Sequence, residues 1–149
     1  LQQLNYTTGS GGYTNSTTPS IWPSKGVITS PYGSRVDPVT GAASAFHEGV
    51  DIADDYGTPI VATAAGTVTF AGYTEGGYGN LVEIDHGNGF VTRYGHNSAV
   101  LVTPGMTVKQ GQVIALMGST GKSTGAHVHY EVRINGSAVD PMVFLPISN

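Results

Sequence analysis

The chain has 149 residues, which is enough for one domain with a proper hydrophobic core and too few for two domains of ordinary size. Charged residues make up only 11% of it and the formal net charge is −4, so there is no basic surface for nucleic acid and no acidic tail. Cysteine is absent, which excludes disulfides and thiolate zinc sites, so any metal must be held by histidine and carboxylate side chains.

The composition favours strands over helices. The sequence contains 22 Gly and 8 Pro, together with many Thr, Val and Tyr residues, and such a chain forms strands joined by tight turns. We therefore predict an all-β protein. No run of 18 apolar residues is present, so we expect no membrane segment. Because the chain begins at Leu1 without Met or a signal peptide, we expect a processed or trimmed product.

Residues 1–20 are polar, rich in Gly, Ser and Thr, and nearly uncharged. They show no apolar periodicity, which is typical of a flexible linker. The first apolar cluster is Ile21-Trp22-Pro23, so we place the start of the domain there and its extent at residues 21–149. Residues 38–41, Pro-Val-Thr-Gly, predict a turn.

His47 and Asp51 lie four residues apart with Gly49 between them. Four residues of straight strand span roughly 13 Å, which is too far for two side chains to meet on one ion. If they bind a metal the chain must bend, and Gly49 is the residue expected to permit the bend and to leave the space between the ligands empty. Taken alone, this spacing is also found in ordinary turns.

Apolar and alternating segments predict strands at residues 57–62, 66–73, 81–86, 90–96 and 113–117. The turn Gly87-Asn88-Gly89 joins the third and fourth of these into a hairpin. Alternation then predicts that His96 shares a face with Thr92 and Tyr94. The uniformly apolar segment 113–117 is typical of a central strand that is buried on both sides. Residues 139–145 are expected to close the domain.

The segment 126–134 reads Ala-His-Val-His-Tyr-Glu-Val-Arg-Ile and predicts another strand. Residues two apart point to the same side of a strand, so His127 and His129 share one face. The apolar residues on the other face are Val128, Tyr130, Val132 and Ile134. The histidine pair suits one metal ligand and one neighbour, although a surface strand that happens to carry two histidines is the simpler explanation of the pair alone. The dipeptide Asn135-Gly136 then predicts a type I′ hairpin turn.

His47, Asp51 and one of His127 or His129 would supply three nitrogen and oxygen ligands. A catalytic zinc ion has this number of protein ligands and leaves a fourth position to water, whereas a structural zinc ion has four protein ligands. The other histidine of the pair and His96 would then handle protons, because their unperturbed pKa of about 6.5 lies near neutral pH. Spacing alone does not decide which histidine of the pair binds the metal.

Several motifs occur in the same order and spacing as in a known family. They are Trp22-Pro23, Ser30-Pro31-Tyr32-Gly33-Ser34-Arg35, His47-x-x-x-Asp51, Tyr78-Gly79-Asn80, Tyr94-Gly95-His96, His127-x-His129 after a Gly/Ser/Thr-rich loop, and Asp140-Pro141. Over residues 21–146 the chain resembles the zinc endopeptidases of the lysostaphin and LytM type. The resemblance implies an antiparallel β-sheet with a groove walled by loops and Zn²⁺ on the groove floor.

The resemblance also implies roles for individual residues. His47, Asp51 and His129 would be the zinc ligands, and His96 and His127 would be the catalytic histidines that orient or deprotonate the attacking water and stabilise the oxyanion. Some members add a tyrosine, for which Tyr32 and Tyr94 are candidates. The substrate would be peptidoglycan peptides, cut by a secreted or wall-associated enzyme that we expect to be a monomer.

The Ser-Pro-Tyr-Gly-Ser-Arg element followed by Asp37-Pro38 resembles the branch that cuts stem-peptide crosslinks rather than glycine bridges. The alternative function is a non-catalytic scaffold or activator of other cell-wall hydrolases, a class whose members have lost zinc ligands or catalytic histidines. Every one of those positions is filled in this chain, which favours the enzyme.

Other motif-like features carry less weight. Residues 118–124 look like a phosphate-binding loop, but Leu116 stands where the first glycine is required, and a strand follows instead of a helix. A serine hydrolase built on Ser123 lacks the strand, elbow and helix that such a nucleophile needs. We expect a surface or structural role for His86, and for Arg35 either substrate binding or a salt bridge with Asp37 or Asp51.

Overall fold

The computed structural model describes residues 3–4, 13–34 and 46–146. Within these ranges the regular elements are strands and one short 3₁₀ turn at Pro141–Val143, which confirms the prediction of an all-β protein. The strands are β1 (Gln3–Leu4), β2 (Gly26–Ser30), β3 (Val50–Ala53), β4 (Pro59–Val61), β5 (Gly66–Thr74), β6 (Gly79–Gly87), β7 (Phe90–Asn97), β8 (Ala99–Val100), β9 (Thr107–Val108), β10 (Val113–Leu116), β11 (His127–Ile134) and β12 (Ser137–Val139). No helix in these ranges is long and apolar enough to cross a membrane. The predicted turn at 38–41 and the residues Arg35 and Asp37 lie outside the described residues.

The strands form two antiparallel sheets. The large sheet has the order β1-β2-β3-β11-β7-β6-β5-β9, with β12 also paired to β11, and the small sheet has the order β4-β10-β8. Strand β11 lies between β3 and β7, and its register places His129 opposite Asp51 on one side and opposite Gly95 on the other. The central position of β11 therefore brings distant parts of the chain together around His129.

The hydrophobic core is formed by residues of both sheets. Val128, Tyr130 and Val132 are fully buried, as alternation along β11 predicted, and they share a core cluster with Ile60 and Ile114 of the small sheet. Ile134, predicted on the same face, is only half-buried at the end of the strand. Burial of each such side chain contributes about 1.5–3 kcal/mol relative to exposure. The opposite face of β11, which carries the histidines, is therefore the face that is left for polar contacts.

A chain of hydrogen bonds runs through this core. The hydroxyl of Tyr94 lies 3.0 Å from Thr63 Oγ1 and 2.7 Å from Thr92 Oγ1, and Thr63 Oγ1 lies 2.7 Å from the hydroxyl of Tyr130. His86 extends the chain, with Nε2 2.6 Å from Thr92 Oγ1 and Nδ1–H donating to the Ala65 carbonyl at 2.8 Å. Buried hydroxyls need such partners, so His86 has a structural role.

Two hairpin predictions agree with the structure. Strands β6 and β7 pair across the Gly87-Asn88-Gly89 turn. Strands β11 and β12 pair across Asn135-Gly136, whose φ angles of 50° and 88° are those of a type I′ turn. The prediction for the apolar segment 113–117 is met only in part. Strand β10 is central, but in the small sheet, and its end residues Val113 and Leu116 are only half-buried.

Residues 13–20, which belong to the segment predicted to be a flexible linker, form hydrogen bonds with residues of the predicted domain. Thr14 forms a backbone bridge with Gln110, and the Ala65 N–H donates to the Ser16 carbonyl at 2.6 Å. The side-chain amide of Gln110 donates to the carbonyls of Thr18 and Thr63. Hydrogen bonds to a distant glutamine leave no periodic pattern in the segment itself, which is why composition did not reveal them. The domain boundary at residue 21 stays a prediction.

Candidate metal centre

Three of the predicted site residues meet beside β11. Asp51 lies on β3, His129 lies opposite it on β11, and His47 lies just before β3. Asp51 Oδ1 is 2.9 Å from His129 Nδ1 and 3.3 Å from His47 Nε2. One candidate ligand atom from each of the three residues lies within 4.8 Å of the others. The structure therefore brings together two imidazoles and one carboxylate from separate parts of the chain.

Backbone contacts hold His47 in this position. His47 and Gly33 exchange two backbone hydrogen bonds of 2.9 Å. The His47 Nδ1 lies 2.9 Å from the Pro31 carbonyl, which only accepts, so Nδ1 carries the proton and Nε2 faces Asp51. Fixing one ring nitrogen in this way is how proteins orient a metal-binding histidine.

Gly49 is needed here for a reason that differs from the predicted one. It is not among the residues with positive φ, so it does not supply a left-handed bend. A Cβ at this position would instead overlap the backbone carbonyl oxygen of Tyr130. Glycine therefore allows β3 to begin in close contact with β11, which is what places His47 and Asp51 beside His129.

The three residues fit a zinc ion. Zinc lies about 2.0–2.1 Å from its nitrogen and oxygen ligands, which in a tetrahedron separates the ligand atoms by roughly 3.3 Å. The observed separations of 2.9 and 3.3 Å around Asp51 Oδ1 are close to that value. His47, Asp51 and His129 would hold the ion with two nitrogen donors and one carboxylate, which is one protein ligand fewer than a structural zinc site has.

Two further histidines border the cluster. His127 Nδ1–H donates to the Gly125 carbonyl at 2.9 Å, and its Nε2 lies 3.8 Å from Asp51 Oδ1. His96 Nδ1–H donates to the Thr120 carbonyl at 2.7 Å. The rings of His96 and His127 have centroids 4.6 Å apart. In each ring a backbone carbonyl holds the Nδ1 proton, so Nε2 of the neutral ring is the atom that can accept one.

All five of these residues line one open groove of about 600 Å³. Two neighbouring loops line it, represented by Gly76, Gly77 and Tyr78 and by Lys122, Ser123 and Thr124, and the Lys122 N–H donates to the Gly77 carbonyl at 3.0 Å. Phe46, which begins the described range 46–146, also lines the groove.

Residues 45–141 match peptidase family M23. The chain belongs to this family. It is 49% identical over 120 residues to "DD-carboxypeptidase/endopeptidase Mpg" of Neisseria meningitidis, covering 80% of this chain and 27% of that protein. It is 40% identical over 125 residues to "Murein hydrolase activator NlpD" of Escherichia coli, covering 84% of this chain and 31% of that protein. The M23 chain thus spans less than a third of the length of either relative.

A solved structure gives the same assignment. The crystal structure of a zinc-containing peptidase from Vibrio cholerae matches with a TM-score of 0.75 and 36% identity, covering 87% of this chain and 39% of that one. Together with the family match, this confirms the predicted membership of a metallopeptidase family and its antiparallel β fold.

His96 of the M23 chain does not lie on the predicted face. Pairing runs from Val82 opposite Tyr94 to Asn80 opposite Asn97, so two residues of β7 face one residue of β6. This is a β-bulge, and His96 has a φ of 67° within it. Bulges re-aim side chains, and this one turns His96 away from the buried side of Tyr94 and into the groove. The alternation argument was wrong because it assumed a regular strand.

The electrostatics of the cluster follow from burial and close pairing. Burial acts to raise the pKa of Asp51, but hydrogen bonds with His129 and His47 outweigh it and hold that pKa well below its usual range. Burial acts to lower the pKa of His129, but Asp51 and Glu131 raise it to about 9. Burial and the neighbouring His127 and His129 lower the pKa of His96 below 6.5, despite its hydrogen bond to Thr120, so His96 is neutral at pH 7.

Sequence reasoning missed Glu131 and Tyr78. Glu131 is only 1% exposed and accepts hydrogen bonds from His129 Nε2 at 2.8 Å, the Tyr78 hydroxyl at 2.7 Å and Arg133 Nε at 2.8 Å. The signal for Glu131 was present, because alternation places it on the same face as His127 and His129. Tyr78 lies in the Tyr-Gly-Asn motif, but nothing in that motif points to its partner.

The two tyrosines proposed from the resemblance lie elsewhere. Tyr94 is fully buried in the core and its hydroxyl is bonded to threonines. The Tyr32 hydroxyl donates to the Ala138 carbonyl at 3.2 Å, and its ring packs edge-on against Phe46. Both hydroxyls have ordinary packing partners. Among the described residues the tyrosine that lies beside the cluster is Tyr78, whose ring centroid is 5.8 Å from that of His129.

Proposed function

We propose that this M23 domain is a zinc-dependent endopeptidase that hydrolyses peptide bonds of bacterial peptidoglycan outside the cytoplasm. The observation that carries the proposal is the joint geometry of His47, Asp51 and His129 as three ligands, with His96 and His127 beside them in the same open groove. A structural metal site would be closed by a fourth protein ligand. An open position flanked by two proton-handling groups is the arrangement of a hydrolase.

Zinc, when bound, would polarise a carbonyl and acidify a water molecule. His96 is neutral at pH 7, because its pKa is lowered, and its Nε2 would accept a proton from the attacking water. The Nε2 of His127 lies 3.8 Å from Asp51 Oδ1, and when the ring is protonated this nitrogen would donate a hydrogen bond to the developing oxyanion. The backbone carbonyls of Thr120 and Gly125 keep both rings in the orientation that these tasks require.

We propose that the domain hydrolyses the stem-peptide crosslink rather than the glycine bridge. The Ser-Pro-Tyr-Gly-Ser-Arg element favours that branch, and the Neisseria relative is named as a carboxypeptidase and endopeptidase of the DD type. Mass spectrometry of the amines and carboxyls newly released from a defined wall preparation tests this choice. New glycine amino termini without released stem peptides would reverse it.

The second candidate function is an activator of other wall hydrolases, favoured by the 40% identity to NlpD. The two functions separate in an assay of the purified chain with purified peptidoglycan and no other protein. We expect the chain alone to release peptides, a chelator to abolish the release and zinc to restore it. Release only in the presence of a second hydrolase would favour the activator, and full activity after complete zinc removal would refute the metal mechanism.

A further inference from the structure

Glu131 lies against the candidate metal centre but is not one of its ligands. It is 1% exposed and lies on the same face of β11 as His127 and His129. Its Oε2 is 2.8 Å from His129 Nε2, and the opposite ring nitrogen, Nδ1, is 2.9 Å from Asp51 Oδ1. A carboxylate therefore holds one nitrogen of His129 while the other nitrogen faces the centre.

A buried carboxylate is unfavourable unless charges and hydrogen bonds compensate it. Glu131 has this compensation from three side chains. Arg133 Nε donates to Oε1 at 2.8 Å, the Tyr78 hydroxyl donates to Oε2 at 2.7 Å, and Arg93 Nη1 lies 3.9 Å from Oε1. Arg93 is directly opposite Glu131 in the sheet, so the register of β7 against β11 fixes this contact.

The arrangement extends one strand further. Arg93 is also opposite Glu83 of β6, and Arg93 Nε donates to Glu83 Oε2 at 2.6 Å. A row of alternating charges thus crosses three strands and ends at His129. Glu83 and Glu131 share the same arginine, but Glu83 is more exposed and only Glu131 contacts a histidine.

His129 differs in this respect from the other histidines of the groove. Its second ring nitrogen contacts a charged carboxylate, whereas the others donate to neutral backbone carbonyls. The carbonyl pairs are His47 with Pro31, His96 with Thr120, and His127 with Gly125. A carboxylate partner makes an imidazole a stronger donor to a metal and fixes its tautomer, whereas a carbonyl mainly orients the ring.

We propose that Glu131 is a positioning residue of the metal centre, which fixes Nδ1 of His129 as the ligand atom and raises the zinc affinity of the site. Tyr78 and Arg133 hold Glu131 in place for this task. The inference rests on the proposed function only in taking His129 as a zinc ligand, and it concerns metal binding rather than hydrolysis.

The test compares three proteins: the wild type, Glu131→Gln and Glu83→Gln. The Glu131→Gln change removes the charge with little change of shape, and Glu83→Gln removes the other carboxylate bound to Arg93. Zinc affinity is measured by competition with a chromophoric chelator. We expect Glu131→Gln to weaken zinc binding about 10- to 100-fold, the range for lost second-sphere partners, and Glu83→Gln to remain within about two-fold of the wild type.

The Co²⁺-loaded proteins provide a second readout, because the visible absorption of Co²⁺ depends on its ligands. We expect an altered spectrum for Glu131→Gln and an unchanged one for Glu83→Gln, a difference that a purely structural role would not produce. If Glu131→Gln does not fold, Tyr78→Phe removes a single hydrogen bond to Glu131 and should weaken zinc binding to a smaller but measurable extent.

If Glu131→Gln has the zinc affinity and the Co²⁺ spectrum of the wild type, the proposal is overturned. Where Glu131→Gln does not fold, the same result for Tyr78→Phe would overturn it. Equal losses in Glu131→Gln and Glu83→Gln would also overturn it, because they would indicate a general effect of the charge row. These outcomes leave the proposed function intact, since the assay contains no peptidoglycan. A wild-type chain that binds no zinc would instead overturn both.

Discussion

Replacing each histidine of the His127 and His129 pair by alanine separates metal binding from proton handling. In the structure His129 Nδ1 is 2.9 Å from Asp51 Oδ1, whereas His127 Nε2 is 3.8 Å from the same atom. His127→Ala leaves His47, Asp51 and His129 in place, so we expect zinc to stay bound. Loss of a general acid or base lowers the rate about 10²- to 10⁴-fold, which corresponds to roughly 2.7–5.5 kcal/mol in the barrier.

His129→Ala removes one of three proposed ligands and leaves the buried Glu131 without its histidine partner. We expect both zinc and activity to be lost. The measurements are zinc content by elemental analysis after gel filtration and peptide release from purified peptidoglycan, with thermal unfolding as the control for folding. Equal loss of zinc in the two variants would refute the distinction drawn here between the two histidines.

Three further predictions concern the framework. Burial lowers the folded-state pKa of His86, so the unfolded chain binds its proton more readily. The free energy of unfolding should therefore fall as the pH drops below about 6.5, by at most about 1.4 kcal/mol per pH unit from this group. Chemical denaturation at several pH values should show a smaller fall for His86→Gln, and an unchanged pH dependence would contradict the assignment. Gly49→Ala places a Cβ against the Tyr130 carbonyl and should cost about 1–3 kcal/mol of stability and lower zinc affinity; wild-type values for both would show that the close approach is not required. Tyr94→Phe should lower stability by about 1–3 kcal/mol, because it leaves buried hydroxyls without a partner, while the rate of the proposed peptide release by the folded protein changes little. A loss of rate as large as that of His127→Ala, in protein shown to be folded, would restore Tyr94 as a catalytic candidate.

The sheet and its main turns could be predicted because their signals are local. Alternation along 127–134 identified the buried face of β11, and Asn135-Gly136 identified the turn after it. The bulge at His96 could not be predicted. It depends on the register between β6 and β7, and the sequence of β7 alone does not specify that register. The same holds for residues 13–20, whose hydrogen bonds go to Gln110, a residue at least 90 positions away in the sequence.

By itself, the sequence determined which residue types could form a metal site and on which face of β11 the two histidines lie. Side-chain alternation is a property of a single strand, and it needs no knowledge of neighbours. Only the tertiary structure decided which groups meet: Asp51 and His129 across β3 and β11, and Glu131 with Tyr78 and two arginines. These contacts depend on strand order and register, which arise from packing of the whole chain, and they are what make His127 and His129 chemically different.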